Sequence, residues 1–135
     1  MATFPLELVT PEKLLFSEQV QAVQAPGIDG SFGVLAGHAS LLTELQVGLI
    51  KLTLPSGLDA YIATSGGYMQ VNEDKVIILA ESAELSEEID LARAKTAEER
   101  ARKSLELPGS GIDAEEVRLG LERARNRIRI AQLRK

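Results

Sequence analysis

Backbone punctuation changes abruptly near residue 87, and no single fold class accommodates both sides of that change. Eight of the eleven glycines and four of the five prolines precede it. Glycine takes positive φ without steric cost and proline presets a turn, so the first part of the chain is bent often and the second seldom. Between the early turn signals lie short runs rich in Val, Ile, Leu and Thr, at 6–9, 20–25, 31–35, 47–54, 60–64, 67–71 and 75–80. Closely spaced strands of this kind predict an all-β sandwich or barrel.

The second part predicts two helices. Ser86 ahead of Glu87, Glu88 and Asp90 suits a capped, acid-rich first turn, and good helix formers continue from Ile89 to Leu105. Leu107-Pro108-Gly109-Ser110-Gly111 breaks the pattern. Asp113, with Glu116 three residues on, suits the cap of a second helix that runs to about Leu133. A short break between helices predicts an antiparallel αα-hairpin. The expected organisation is therefore a β-sandwich over 1–84 and a helical hairpin over 85–135.

Charge divides at the same place. Residues 1–86 carry three lysines against ten acids, a formal −7, and residues 87–135 carry twelve basic residues against ten acids, a formal +2. The overall −5, with no tryptophan, argues against a general nucleic-acid binder. There is no cysteine and one histidine, which excludes disulfides, thiol nucleophiles and multi-histidine metal sites. The longest unbroken apolar run, 76–80, cannot span a bilayer, and no basic-then-apolar leader is visible at the N-terminus.

At about 100° per residue, Asp90, Ala94, Ala97, Ala101 and Leu105 form one stripe of the first helix, with Arg93 and Arg100 in an adjoining row. Alanines let another backbone approach but bury little area. In the second helix Val117, Leu121, Ala124, Ile128 and Ala131 share a face. Arg123 and Arg127 flank it on one side, and Arg118, Arg125 and Arg129 on the other. One reading is a solvated hairpin whose bases complement a helix C-terminus. The other is an anion- or acid-recognising surface that exchanges partners, since six basic residues and no acid follow Glu122.

Catalytic machinery is sparse. His38 is the one conventional general base near neutral pH, and no G-x-S-x-G, Walker-type loop or G-x-G-x-x-G accompanies it. Gly37 and His38 read as a structural turn in which the imidazole meets a loop carbonyl. Glu81 and Glu84 read as surface or hinge residues. An enzyme built on His38 and a glycan- or peptide-binding β-sandwich are competing classes, and the second lacks an aromatic-rich face.

Residues 26–42, PGIDGSFGVLAGHASLL, resemble the glycine-rich segment ending in G-H-A of the epsilon subunit of F-type ATP synthases. Ser65-Gly66-Gly67 followed by Val71 resembles that family's second glycine signature. Ile89-Asp90-Leu91-Ala92-Arg93-Ala94 resembles its I/L-D-x-x-R-A motif at the start of the hairpin. The three occur in order along essentially the whole chain, in a form similar to cyanobacterial or plastid members.

The resemblance implies a flattened antiparallel β-sandwich followed by an antiparallel αα-hairpin. It implies a non-catalytic subunit of the rotary central stalk that couples gamma to the c-ring during proton-driven ATP synthesis. Gamma and the c-ring are then partners of the sandwich, with Gly27, Asp29, Gly30, Ser31, Phe32 and Gly33 in a loop facing the c-ring. The hairpin is mobile. Extended toward an acidic loop of a beta subunit, it inhibits ATP hydrolysis through Arg123, Arg125, Arg127 and Arg129. In some bacterial members the folded-down hairpin binds ATP, and the matching positions are Glu84, Ile89, Asp90, Arg93, Arg100, Arg123 and Arg127. No cofactor is required, and ATP enters only as a regulatory ligand. Nucleic acid and direct membrane insertion are not implied. The implied location is peripheral, on the cytoplasmic face of an energy-coupling membrane, the thylakoid for a cyanobacterial chain. The 108–111 connection departs from the polar, proline-free loop of that family.

Overall fold

Ten strands form one continuous hydrogen-bonded sheet in the computed structural model, which describes residues 2–106 and 114–133. They are β1 (Phe4–Val9), β2 (Leu14–Val20), β3 (Ala22–Gly27), β4 (Gly30–Leu35), β5 (Leu41–Leu45), β6 (Gly48–Thr53), β7 (Asp59–Thr64), β8 (Gly67–Val71), β9 (Val76–Ala80) and β10 (Ala83–Leu85). A 3₁₀ turn at Ser86–Glu88 leads to α1 (Leu91–Glu106) and α2 (Ala114–Ala131). The break at 107–111, the expected cap Asp113, and Arg134 and Lys135 lie outside the described residues.

The sheet folds over on itself at one point. β3 leaves β6 after Gln24 and meets β5 only through Gly27 and Leu45. That bridge joins a layer of β10-β7-β6-β3-β4 to a layer of β5-β8-β9-β1-β2. Inward side chains of both layers, among them Leu6, Leu8, Ile50, Leu52, Ile62, Met69 and Ile78, form one core cluster. Strict alternation along β1, β6 and β8 delivers Leu6, Leu8, Ile50, Leu52 and Met69, because successive strand side chains point to opposite faces. Every pairing is antiparallel except β1 with β9, which run parallel.

The sequence expectation misses β2, β5 and the short β10. β2 is an edge strand whose Ser17, Glu18 and Gln19 are exposed, so its apolar pattern is thin. The run 20–25 is two strands: β2 ends at Val20 and β3 begins at Ala22, with a bend at Gln21 whose amide donates to the Thr53 carbonyl at 2.7 Å. A corner made by a single residue leaves apolar neighbours on both sides and reads as one strand. The expected boundary at residue 84 falls inside β10, whose Leu85 pairs with Ile62.

Asp90, not Ser86, caps α1. Its Oδ1 accepts from the Arg93 amide at 3.1 Å, and its carbonyl accepts from the Ala94 amide at 3.0 Å. The acids after Ser86 fall instead in the 3₁₀ turn.

Gly67 explains the second glycine signature. Its φ is +143°, and a Cβ there would lie 2.1 Å from the Leu79 carbonyl oxygen on β9. Gly67→Ala combines a disfavoured φ with a backbone clash and should destabilise the protein by on the order of 3 kcal/mol. Gly33→Ala, whose Cβ would meet only the Val23 carbonyl at 3.8 Å, should be neutral to slightly stabilising. Urea unfolding of the two variants checks the contrast, and equal midpoints would contradict it.

Candidate functional site

The hairpin is seated on the outer face of β6 and β7. Ile62 points into the sandwich core, so its neighbour Ala63 points out. There Ala63 forms a second apolar cluster with Ile89, Ile130 and Ala131, bordered by Leu49, Tyr61 and Leu91. Ile130 has no exposed surface, which is worth roughly 1.5–3 kcal/mol.

Two polar contacts fix the seat. Asn126, buried, donates from Nδ2 to the Gly48 carbonyl at 2.9 Å and accepts from Arg129 Nη2 at 2.8 Å. Gly48 opens β6, where it pairs with Thr64 of β7, so this bond ties α2 to the edge of the sandwich next to the Ala63 patch. Arg127 grips Glu84 with two bonds, Nε to Oε1 at 2.5 Å and Nη2 to Oε2 at 3.1 Å. Both side chains retain some solvent, so screening holds this pair to on the order of 1 kcal/mol. Together the three contacts amount to a few kcal/mol.

Directly beside the seat, with Ala63 and Asn126 in its wall, the hairpin and the sandwich part around a cavity of about 340 Å³. Thr64, Ser65, Ser82 and Glu84 line its sandwich side; Ala97 of α1 and Gly120, Arg123 and Arg127 of α2 line the other. The sandwich wall is a hydroxyl cluster in which Ser65 Oγ and Ser82 Oγ lie 2.7 Å apart. Guanidinium groups facing hydroxyls suit an anionic ligand, and the volume falls at the lower end of small-molecule sites, ~300–1,000 Å³.

Of the seven positions expected at an ATP site, Glu84, Arg123 and Arg127 line this cavity. Arg93 and Arg100 are exposed, one turn before and one turn after Ala97 on the same side of α1. Asp90 is occupied as the helix cap, and Ile89 is buried in the seat. In the docked hairpin the four arginines of the expected inhibitory helix have separate partners. Arg127 holds Glu84, Arg129 braces Asn126, Arg125 reaches across to Glu98 of α1 at 3.2 Å, and Arg123 borders the cavity. Sequence reasoning missed Asn126 and Ile130. They stand four apart, a stripe about half a turn from Leu121, and two faces on one helix were the available signal.

The opposite face of the sandwich carries exposed apolar side chains. Register aligns Tyr68 with Leu79, Leu79 with Val9, and Val9 with Leu14, a row across β8, β9, β1 and β2. Tyr68, Leu79 and Leu14 are each more than half exposed, and Leu42 of β5 lies on the same face. Such a row on a soluble surface marks a contact site.

The glycine-rich segment is the β3–β4 hairpin. Gly27 is buried, where a Cβ would come within 2.9 Å of the Gly30 carbonyl; Ile28 and Asp29 form the exposed tip, and Gly30 has φ +127°. Ser31 Oγ accepts from Gln24 at 3.0 Å, Phe32 leans on the core, and Gly33 is exposed. After β4, Gly37 turns with φ +81° and the His38 amide donates to the Leu35 carbonyl at 3.2 Å. His38 Nδ1 donates to the Ala39 carbonyl at 2.8 Å.

A ten-stranded sandwich with a helical hairpin docked on one face defines a two-part β-plus-α subunit. The family comparison agrees in both parts. The β-sandwich domain of ATP synthase delta/epsilon chains matches residues 3–86, and the long α-helix domain of those chains matches residues 87–132. The chain belongs to the ATP synthase epsilon-chain family, a non-catalytic subunit of the complex.

It is 41% identical over 131 residues to the ATP synthase epsilon chain of Syntrophomonas wolfei, covering 97% of this chain and 96% of that one. It is 42% identical over 127 residues to that of Desulforamulus reducens, covering 94% and 96%. A chain of the cryo-EM structure of the Euglena gracilis mitochondrial ATP synthase with OSCP, F1 and c-ring superimposes with a TM-score of 0.83 at 27% identity, covering 99% of this chain and 83% of that one. The cyanobacterial or plastid flavour, and the thylakoid with it, is not borne out by these relatives. No described helix is long and apolar enough to cross a membrane.

Removing a docking contact should expose the arginines of α2 to trypsin. Asn126→Ala removes the buried hydrogen bond to the Gly48 carbonyl and should speed cleavage between residues 123 and 129 roughly five- to thirty-fold. Ile130→Ala, at about 2–5 kcal/mol, should do more. Cleavage at the unmodified rate in both would show that the hairpin is not held there.

Proposed function

We propose that this chain couples the gamma subunit to the c-ring in a rotary F-type ATP synthase and restrains ATP hydrolysis with a hairpin that leaves its seat. The observation that carries the reading is the modest size of that seat: a small apolar cluster of Ile89, Ile130, Ala131 and Ala63, one buried asparagine and one part-screened ion pair. A partner that offers the hairpin a few kcal/mol can displace it. An acidic loop of a beta subunit fits, because Arg123, Arg125, Arg127 and Arg129 become available together only when the hairpin extends.

Gamma takes the apolar row on the face opposite the hairpin, and the c-ring takes the β3–β4 tip around Asp29, Gly30 and Ser31. The chain then sits peripherally on the cytoplasmic face of the energy-coupling membrane. Tyr68→Asp with Leu79→Asp should weaken gamma binding at least ten-fold, and Ser31→Cys should crosslink to c-ring loops. Labelling of gamma alone from Ser31 would reverse the orientation.

ATP is a regulatory ligand of the cavity in this reading. Arg123 borders it without an ion-pair partner among the described residues, with Arg93 and Arg100 at the rim. ATP should slow the tryptic cleavage of α2, and Arg123→Ala should abolish the slowing. Protection that persists in the variant would move the ligand elsewhere.

Hydrolysis by the assembled enzyme tests the inhibitory part. A chain ending at Glu88, which keeps β10 whole, should fold, bind gamma and raise the rate. Replacing Arg123, Arg125, Arg127 and Arg129 with alanine should do part of the same, and Arg118→Ala, paired with Glu115 on its own helix, should do little. Glu84→Gln has the opposite sign: it loosens the seat by on the order of 1 kcal/mol without touching the arginines, so inhibition should deepen. Salt should relax inhibition, because several extended-state pairs are screened against one docked pair. Equal rates for the shortened and full chains at all salt concentrations would end the inhibitory reading.

A further inference from the structure

Gly120 lies inside α2, where glycine weakens a helix roughly five-fold relative to alanine. Among the described residues no contact requires it: a Cβ at that position would meet only Arg123 Nη2 at 3.9 Å, an ordinary van der Waals distance. Burial changes at the same residue. Before it, Val117 is half-buried and the other residues from Ala114 to Leu119 are exposed; after it, Leu121, Ala124, Asn126, Ile130 and Ala131 are buried.

α1 changes at the matching level. Ile89 and Ala94 are buried and Leu91 half-buried. From Ala97 to Glu106 no residue is buried. Ala97 and Gly120 both line the cavity that separates the helices from the sheet. The hairpin thus has a proximal part packed on β6 and β7 and a distal part that the described sandwich residues do not support, with the weakest helical residue at the join.

We propose that the hairpin opens in two stages, hinged at the level of Ala97 and Gly120, the distal part fraying while the proximal part stays seated. The Arg125–Glu98 ion pair, 3.2 Å long, straps the two helices beside the hinge. The first stage costs no seat contact, because Asn126, Arg127 and Ile130 all lie proximal to Gly120. It widens the cavity mouth, lined by Gly120 and Arg123, while leaving Arg127 on Glu84. The full row of arginines waits for the second stage.

Amide hydrogen exchange on the isolated full chain tests this, so the outcome stands apart from any inhibition measured in the complex. Amides of 118–120 should be at least ten-fold less protected than those of 124–131. Gly120→Ala should raise protection at 118–120 roughly five-fold and leave 124–131 within two-fold. Ile130→Ala should instead lower protection at 124–131 strongly. Uniform protection along α2, or a Gly120→Ala effect that spreads equally over 124–131, would overturn the two-stage opening.

Discussion

The outward face of β6 and β7 is the constraint on which the rest depends. A sandwich strand buries every second side chain, so Ile62 in the core obliges Ala63 to face outward. Leu49 and Tyr61 border the same outer patch, which would lie in water if nothing covered it. Ile130 and Ala131 cover it. The hairpin's position, the cavity beside it and the exposure of its other arginines all follow from where that patch lies. A larger patch would make the hairpin a permanent third layer; the one observed is small enough to be given up.

Polar contacts set the register of this seat rather than its strength. Asn126 meets the Gly48 carbonyl at the start of β6, and only one rotation of α2 brings it there. Arg127 meets Glu84 on β10, the short strand that carries the chain from the sandwich toward the hairpin. Exposed charges are screened beyond about 8 Å at physiological salt, so the −7 and +2 of the two parts act diffusely. The specific attraction is the Arg127–Glu84 pair, reinforced by an uncharged hydrogen bond and an apolar contact that salt does not weaken.

The division into sandwich and hairpin was legible because turn residues and helix formers segregate along the chain, and glycine and proline act locally. The corner at Gln21 and the edge strand β2 were not, because both depend on which neighbours a strand finds in space. Asp90 shows the same limit: Ser86 and Asp90 are equally good caps by composition, and only the 3₁₀ turn between them decides. For the site, the arginines were visible as a basic run. Their separation into a docking residue, a brace, a strap and a cavity wall was not, because it depends on the azimuth of α2 against two surfaces at once. Asn126 was hidden for that reason: amid five arginines it looks like a solvated residue, yet it is buried.

Arg127 links the two proposed states. Docked, it is bonded twice to Glu84; extended, it belongs to the row offered to an acidic partner. Replacing it removes stabilisation from both states, so its net effect on inhibition is a difference between two terms of similar size. Glu84 belongs only to the docked state and Arg125 leaves the seat untouched, so these two positions separate seat strength from partner strength where Arg127 cannot. The same reasoning applies to a ligand in the cavity. A phosphate group that draws Arg127 from Glu84 loosens one seat contact while it creates a bridge between hairpin and sandwich. It holds the hairpin down only if the bridge is stronger than the ion pair it replaces. The hydroxyls of Ser65 and Ser82, opposite Arg123, are what can tip that balance, because they bond an anion without competing for its charge.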